Sequence, residues 1–355
     1  MIGSGRSAKI FRRGLDLFAS DRKKEKIPHY GRPFLYPLNK LDYWMDQFVF
    51  GPVPSRRLGF SLGVDLIPRK HCTFDCIYCQ VGRTTHKEVD RRSFADPDLV
   101  IRQVTEKVEE GRAIDFITIS GSGEPSLSSD IGFVISELKR RTAIPVAVIT
   151  NGSLLFREDV RQEIAPADLV LPSLDAAEQG IFERVNRPHE SLSFGLLLSG
   201  LKDFRQAYKG TIWLEIMLIK SINDASEQIE MLKQIVSDTW ADRVQLNTVM
   251  RPPAEDTAMP VGKARLAAIA HRLGRGCEVI AAFDRKARAP GAPAWQADLL
   301  ETLKRRSLSL EDVVRTTGIP AAAAVAGLEK LVREGRIKAV RTGKVWFYTA
   351  VESEP

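Results

Sequence analysis

Leu62-Gly63-Val64-Asp65-Leu66-Ile67 and, after four intervening residues, Cys72-Thr73-Phe74-Asp75-Cys76-Ile77-Tyr78-Cys79 set a strand-like apolar run directly before three thiols. The C-x3-C-x2-C spacing, with an aromatic just before the last thiol, points to a redox-active iron-sulfur site. A cubane presents four irons, yet the run offers three thiolates, so one iron keeps an open coordination position where a ligand binds. An open position means chemistry and not a structural staple. The competing reading is zinc, with His71 or His86 as a further ligand, although zinc sites usually show two C-x2-C pairs or a cysteine pair followed by a histidine pair. Disulfides fit less well, because 355 residues supply core enough without bridges.

Outward from this run, apolar segments alternate with amphipathic ones, the pattern of a parallel sheet with crossover helices. Strands are expected at residues 62–67, 116–120, 145–150, 169–173, 212–219 and 243–247, with the clearest helices at 97–110, 130–140, 158–164 and 226–238. The fold class is α/β, and six strands connected in this way predict a partial (β/α)6 barrel. Reactive groups of such barrels gather at the C-terminal ends of the strands. The cysteines lie in the first βα loop, where that rule expects a cofactor.

Composition bounds the rest. The chain has 44% hydrophobic residues and 52 Lys+Arg against 45 Asp+Glu, for a net charge of +7. It reads as a globular, cytoplasmic protein with no membrane span and a modest attraction for acidic partners. Residues 1–44 read as a basic, irregular arm, with Arg12-Arg13 and Arg22-Lys23-Lys24 followed by Pro28, Pro33 and Pro37. The main α/β domain is expected over 45–284, and Arg285 to Pro293, rich in Pro, Gly and Ala, predicts a linker over 285–294. Residues 295–350 then give three helices and a two-stranded hairpin through Thr342-Gly343, an order that resembles a winged helix-turn-helix.

The cysteine spacing resembles the cluster motif of the radical S-adenosylmethionine (SAM) superfamily. That resemblance implies a 4Fe-4S cluster on Cys72, Cys76 and Cys79, with SAM chelating the fourth iron through its amino and carboxylate groups. After the second expected strand, Ser120-Gly121-Ser122-Gly123-Glu124-Pro125 stands where radical SAM proteins carry a Gly-Gly-Glu-like turn for the SAM amino group. Glycines let backbone approach the methionine moiety, and a carboxylate pairs with an ammonium. Ser122 departs from the usual glycine. Asn151, ending the third strand, and Ser173 and Asp175, ending the fourth, are candidates by resemblance for the methionine carboxylate or the ribose, with a turn and a helix cap as the alternatives. Glu215, Lys220 and Asn247 are further rim candidates.

Together with the cysteine run, Gly51-Pro52-Val53-Pro54-Ser55-Arg56-Arg57-Leu58-Gly59 and Leu246-Asn247-Thr248-Val249-Met250-Arg251-Pro252-Pro253 resemble Fe-S oxidoreductases related to wyosine-base-forming tRNA enzymes. Arg56, Arg57 and Arg251 suit a substrate phosphate or carboxylate, or surface salt bridges. The wyosine enzymes carry a second cluster, whereas only Cys277 remains here, which argues against wyosine synthesis itself. Cys277 reads as a core residue. Among the histidines, His71 lies beside the cluster motif.

The first functional reading is a radical SAM enzyme that cleaves SAM to a 5'-deoxyadenosyl radical for hydrogen abstraction, on a substrate that includes RNA or tRNA among the candidates. Its reductant is expected to be a flavodoxin or ferredoxin. The alternative is a redox- or SAM-responsive DNA-binding regulator with the cluster as sensor. The expected recognition helix, Pro320 to Gly327, holds no Arg, Lys, Asn or Gln able to read a base edge. Arg341 and Lys344 on the wing and Lys304-Arg305-Arg306 leave RNA or protein docking through this domain open.

Overall fold

Two prolines interrupt the first strand without preventing it. In the computed structural model, which describes residues 47–237, 241–274, 276–280 and 295–351, β1 (Val49–Ser55) turns back into antiparallel β2 (Gly59–Val64). Pro52 and Pro54 cannot donate to a ladder, and an edge position with a register irregularity between Phe50 and Val53 accommodates them. The expected arm over 1–44 and linker over 285–294 lie outside the described residues.

After β2, the cysteine loop carries a two-residue parallel pair, β3 (His71–Cys72) with β4 (His86–Lys87). Helices and strands then alternate: α1 (Pro97–Glu109), β5 (Phe116–Ile119), α2 (Ile131–Arg141), β6 (Val146–Thr150), α3 (Glu158–Ile164) and β7 (Leu169–Pro172). There follow α4 (Gln179–Asn186), α5 (Phe194–Ala207), β8 (Thr211–Leu218), α6 (Ser226–Ser237), β9 (Arg243–Thr248), α7 (Lys263–Leu273) and β10 (Cys277–Val279). The main sheet has the order β1-β2-β5-β6-β7-β8-β9-β10, and every neighbouring pair after β1 and β2 is parallel.

Both faces of this sheet are covered, which is why its strands read as continuous apolar runs. Val146, Val148 and Val170 join the core beneath the helices, while Ala147, Ile149, Leu169 and Leu171 pack on the opposite face with Leu58. The sheet is also curved. Arg57, in the turn between β1 and β2, touches Glu215 on β8 at 2.6 Å although β5, β6 and β7 stand between. Laid flat, those strands would hold the two about 19 Å apart at about 4.8 Å each.

The strands expected from residue 116 onward lie within a residue or two of their observed bounds, but the first ends at Val64 and not at Ile67. Asp65 leaves the sheet because its carboxylate is taken by Ser122 and Arg305. β1, β10, α4, α5 and α7 were not among the expected elements.

The C-terminal region consists of α8 (Trp295–Arg305), β11 (Leu308–Ser309), α9 (Leu310–Thr317), α10 (Ala321–Arg333), β12 (Ile337–Thr342) and β13 (Val345–Ala350). The strands form an antiparallel sheet in the order β11-β13-β12 around a core of Leu299, Leu303, Val313, Leu328 and Ile337. Ser309 caps α9 through a reciprocal box with Asp312, and Gly318 ends it at φ 69°. α8 and α9 pack against β1. Among the described residues no helix is long and apolar enough to cross a membrane.

Candidate active site

The C-terminal ends of the parallel strands open onto a cavity of about 360 Å³, a volume in the range of small-molecule sites. Cys72, Cys76 and Cys79 all reach it, each half-buried with its open side on the cavity. Burial pushes the Cys72 thiol up to about 12, with the Glu124 carboxylate adding to the shift, and burial also raises Cys76 and Cys79. Thiolates in such surroundings need a metal to hold their charge. Two sulfurs already receive N–H donors: the Asn186 amide donates to Cys76 Sγ at 3.4 Å, and that of Asn151 to Cys72 Sγ at 3.7 Å. Hydrogen bonds of this kind tune cluster potentials. Among the described residues no three His, Cys, Asp or Glu side chains converge tightly enough to hold one metal ion. A cluster asks for no such point, since each thiolate binds a different iron.

The glycine turn after β5 is fitted against the cysteine loop. A Cβ on Gly123 would lie 1.9 Å from the His71 carbonyl oxygen, and one on Gly121, at φ +147°, 2.3 Å from the Asp65 carboxylate. Glycine is required at both positions. Glu124 is buried, its Oε1 accepting from Ser126 N, Ser126 Oγ and Thr150 Oγ1, and its Oε2 from Asn151 N at 2.7 Å. Burial raises its carboxyl against these hydrogen bonds. Oε2 accepts a single hydrogen bond and so retains acceptor capacity, and Glu124 lines the cavity.

Gly121, Gly123, Glu124, Asn151 and Ser173 all reach the cavity with the cysteines; Ser122 and Asp175 do not line it. The Ser122 hydroxyl donates to Asp65 at 2.6 Å. Asp175 is buried and accepts from Tyr78 Oη at 2.5 Å, Asn186 Nδ2 at 2.9 Å and the Met217 amide. It therefore positions Tyr78 in the cavity wall and Asn186 on Cys76. Desolvation raises Asp175 to about 6 despite those donors. His71 faces elsewhere, bonded to Glu88 at 2.6 Å and stacked on His86. Cys277 sits on β10 outside the cavity wall, its thiol pushed up to about 12 by burial.

A second group of residues faces the same space. Glu215 joins Arg57 at 2.6 Å and accepts from Asn247 Nδ2 at 2.8 Å, and Asn247 Oδ1 accepts from Arg56 at 3.1 Å. Burial alone would raise the Glu215 carboxyl, but Arg57 and Asn247 hold it below the ordinary range. Arg251, Arg305 and Arg306 complete this wall. The expected basic patch at Lys304-Arg305-Arg306 is not one exposed surface: Lys304 pairs with Glu301, Arg305 is buried on Asp65 at 3.0 Å, and Arg306 turns into the cavity. Sequence reasoning missed Asp65 and Asn186, which stand behind the cavity wall on Ser122, Arg305 and Cys76, and read Arg306 only as part of a basic patch, since isolated residues carry no spacing signal. Tyr78 was flagged by its place before the last thiol.

The family model for the radical SAM superfamily matches residues 66–233. A "GTPase Obg" of Brachyspira hyodysenteriae is 34% identical over 293 residues, covering 82% of this chain and 43% of that protein. A UPF0026 protein of Methanocaldococcus jannaschii is 41% identical over 59% of this chain and 66% of its own length, and one of Synechocystis is 33% identical over 58% and 76%. The chain thus spans under half of the first relative and 66% of the second. It belongs to the UPF0026 proteins, and its residues 66–233 are a radical SAM superfamily region. Superfamily members are enzymes that bind a 4Fe-4S cluster and S-adenosylmethionine. The residues here fit that pair: three cavity-facing thiols, two with N–H donors, stand beside a glycine turn with no room for side chains and a carboxylate with a spare lone pair.

Proposed function

We propose that this protein is a radical SAM enzyme that holds a 4Fe-4S cluster on Cys72, Cys76 and Cys79 and cleaves S-adenosylmethionine to abstract hydrogen from a substrate bound in the same cavity. The observation that carries the reading is the meeting of all three thiols with Gly121, Gly123, Glu124, Asn151 and Ser173 in one cavity at the strand ends. When bound and reduced, the cluster supplies the electron that splits SAM into methionine and a 5'-deoxyadenosyl radical. Gly121 and Gly123 let the turn approach the methionine backbone, and Glu124 Oε2 accepts from its ammonium. Asn151 donates to Cys72 Sγ and Asn186 to Cys76 Sγ, two of the thiols that would hold the cluster, and Asp175 holds Asn186 in place.

The curvature shown by the Arg57 and Glu215 contact supports a partial (β/α)6 barrel, and the element order of 295–350 supports a winged helix-turn-helix-like domain. That domain is read as a part of the enzyme and not as a DNA reader, because α10 exposes Ala321, Ala322, Ala323, Val325 and Ala326 along its first turns. Electron delivery by a flavodoxin or ferredoxin in the cytoplasm belongs to the same proposal. The resemblance of its motifs to those of wyosine-forming enzymes makes tRNA one substrate to try.

Anaerobic reconstitution followed by dithionite reduction with SAM tests the reading. Wild type is expected to give 5'-deoxyadenosine and Cys76→Ala none. A sound cluster that never cleaves SAM would overturn the proposal in favour of a sensor.

A further inference from the structure

Besides Arg305, which Asp65 holds, four guanidiniums line the cavity together with the cysteines: Arg56 and Arg57 from the turn after β1, Arg251 from the loop after β9, and Arg306 from the residue following α8. They come from opposite ends of the sheet and from the C-terminal region, so three separate stretches of chain bring like charges together. Two carboxylates answer them. Glu215 pairs with Arg57 at 2.6 Å, and Asp312 stands 3.8 Å from Arg251. Arg251 Nε also donates to the Ser307 carbonyl at 3.0 Å. Among the described residues Arg56 forms no direct ion pair: it hydrogen-bonds the neutral Asn247 and shares the charge of Glu215 with Arg57. Arg306 makes no side-chain hydrogen bond among them; the carboxylate that acts on it is Asp312, shared with Arg251, and its Nε is buried without a hydrogen bond. Four cations against two anions leave an excess of two positive charges beside an unsatisfied buried donor.

Resting on the radical SAM reading above, we propose that Arg56, Arg57, Arg251 and Arg306 form a receptor for the terminal phosphate monoester of the substrate, with Arg306 of the C-terminal region completing it. A phosphate monoester carries close to two negative charges at neutral pH and offers three acceptor oxygens to guanidinium forks. A backbone phosphodiester, with one charge, leaves half of the excess uncompensated. The SAM carboxylate, also singly charged, leaves the same remainder. Burial lowers Arg251 to about 9 with Arg306 adding to the shift, and lowers Arg56 to about 10 with Arg251 adding. The cluster is thus at an electrostatic cost that a bound dianion removes. Arg305 takes no part, because Asp65 and Glu301 already occupy it.

The test is calorimetric titration of inorganic phosphate, at constant ionic strength, into the reconstituted full chain saturated with SAM, so that the SAM carboxylate cannot account for the heat. Wild type and Arg333→Gln, an exposed control on α10 that removes one charge away from the cavity, are expected to bind saturably. Arg306→Gln and Arg56→Gln are each expected to weaken binding about ten-fold, the loss of one charge-assisted contact. An oligoribonucleotide without terminal phosphate is expected not to displace the ion. Absence of saturable binding to wild type, binding as tight as wild type in both arginine variants, or tighter capture of the unphosphorylated oligoribonucleotide overturns the receptor. The variants are compared only at matched melting temperature, and either one alone suffices. SAM cleavage, followed in the same wild-type samples, separates the two ideas. Phosphate binding without 5'-deoxyadenosine would leave the receptor and sink the radical reading, and cleavage without phosphate binding would do the reverse.

Discussion

At Gly123 the cysteine loop and the glycine turn after β5 touch backbone to backbone, and the His71 carbonyl that a Cβ would strike cannot rotate away as a side chain would. Gly123→Ala is therefore expected to push the turn off the cysteine loop and reduce cluster incorporation several-fold, read as iron per chain and visible absorbance. Full iron content would show that the loop yields. Asp175 gives a pH prediction. Its folded pKa, about 6, lies above the ordinary 3.8, so its contribution is fully present below 3.8 and is lost as pH rises through about 6. The shift corresponds to about 3 kcal/mol in the metal-free protein. Asp175→Asn loses one acceptor at every pH, yet should flatten this decline between about pH 4 and 6.5 in chemical denaturation. An unchanged slope would assign the titration to other groups. At this scale the three cysteines were legible because cluster ligation imposes a local spacing. The role of Asp65 and the place of Arg306 in the cavity were not, because Asp65 meets Ser122 and Arg305 across 57 and 240 residues, and Arg306 read only as one of three consecutive basic residues.

Among elements, α8 is tied to the sheet by a buried ion pair. Arg305 Nε donates to Asp65 at 3.0 Å with both side chains almost wholly out of solvent, and its guanidinium also bonds the Gln47 carbonyl and covers the Phe50 ring. Asp65 in turn holds Ser122 by hydroxyl and amide. Arg305→Met removes one partner and leaves the other charge buried, an expected loss of about 3–5 kcal/mol in denaturant unfolding. Adding Asp65→Asn removes the stranded charge, so the double variant should be less unstable than the single losses added together. Strict additivity would deny the coupling. The strands from residue 116 to 248 and the helices α1, α2, α3 and α6 could be read from their periodicity, α4 and α5 excepted, because burial on two faces or one stripe writes itself into the chain. β1 could not, since Pro52 and Pro54 mark it as a non-strand until its edge position is known.

For the molecule as a whole, the chain past residue 294 behaves as a wall of the cavity. The Pro- and Gly-rich stretch before it suggested a separate module, and residues 295–350 do have their own core. Yet α8 and α9 pack on β1, Arg251 bonds the Ser307 carbonyl, Arg112 bonds the Thr316 carbonyl, and Arg305 reaches Asp65. Partly exposed pairs such as Lys107 with Asp298 at 3.4 Å add little, so the buried pair and the apolar packing decide the coupling. If Arg305 with Asp65 joins the two cores as strongly as its burial requires, neither melts while the other stands. Scanning calorimetry of residues 1–355 should then give one main transition, with calorimetric and van't Hoff enthalpies in agreement. Arg305→Met should split it, the smaller core melting first because it buries less apolar surface. Two transitions already present in wild type would mean that the C-terminal region folds independently, and Arg306 would then hold its place in the cavity only as well as that docking allows.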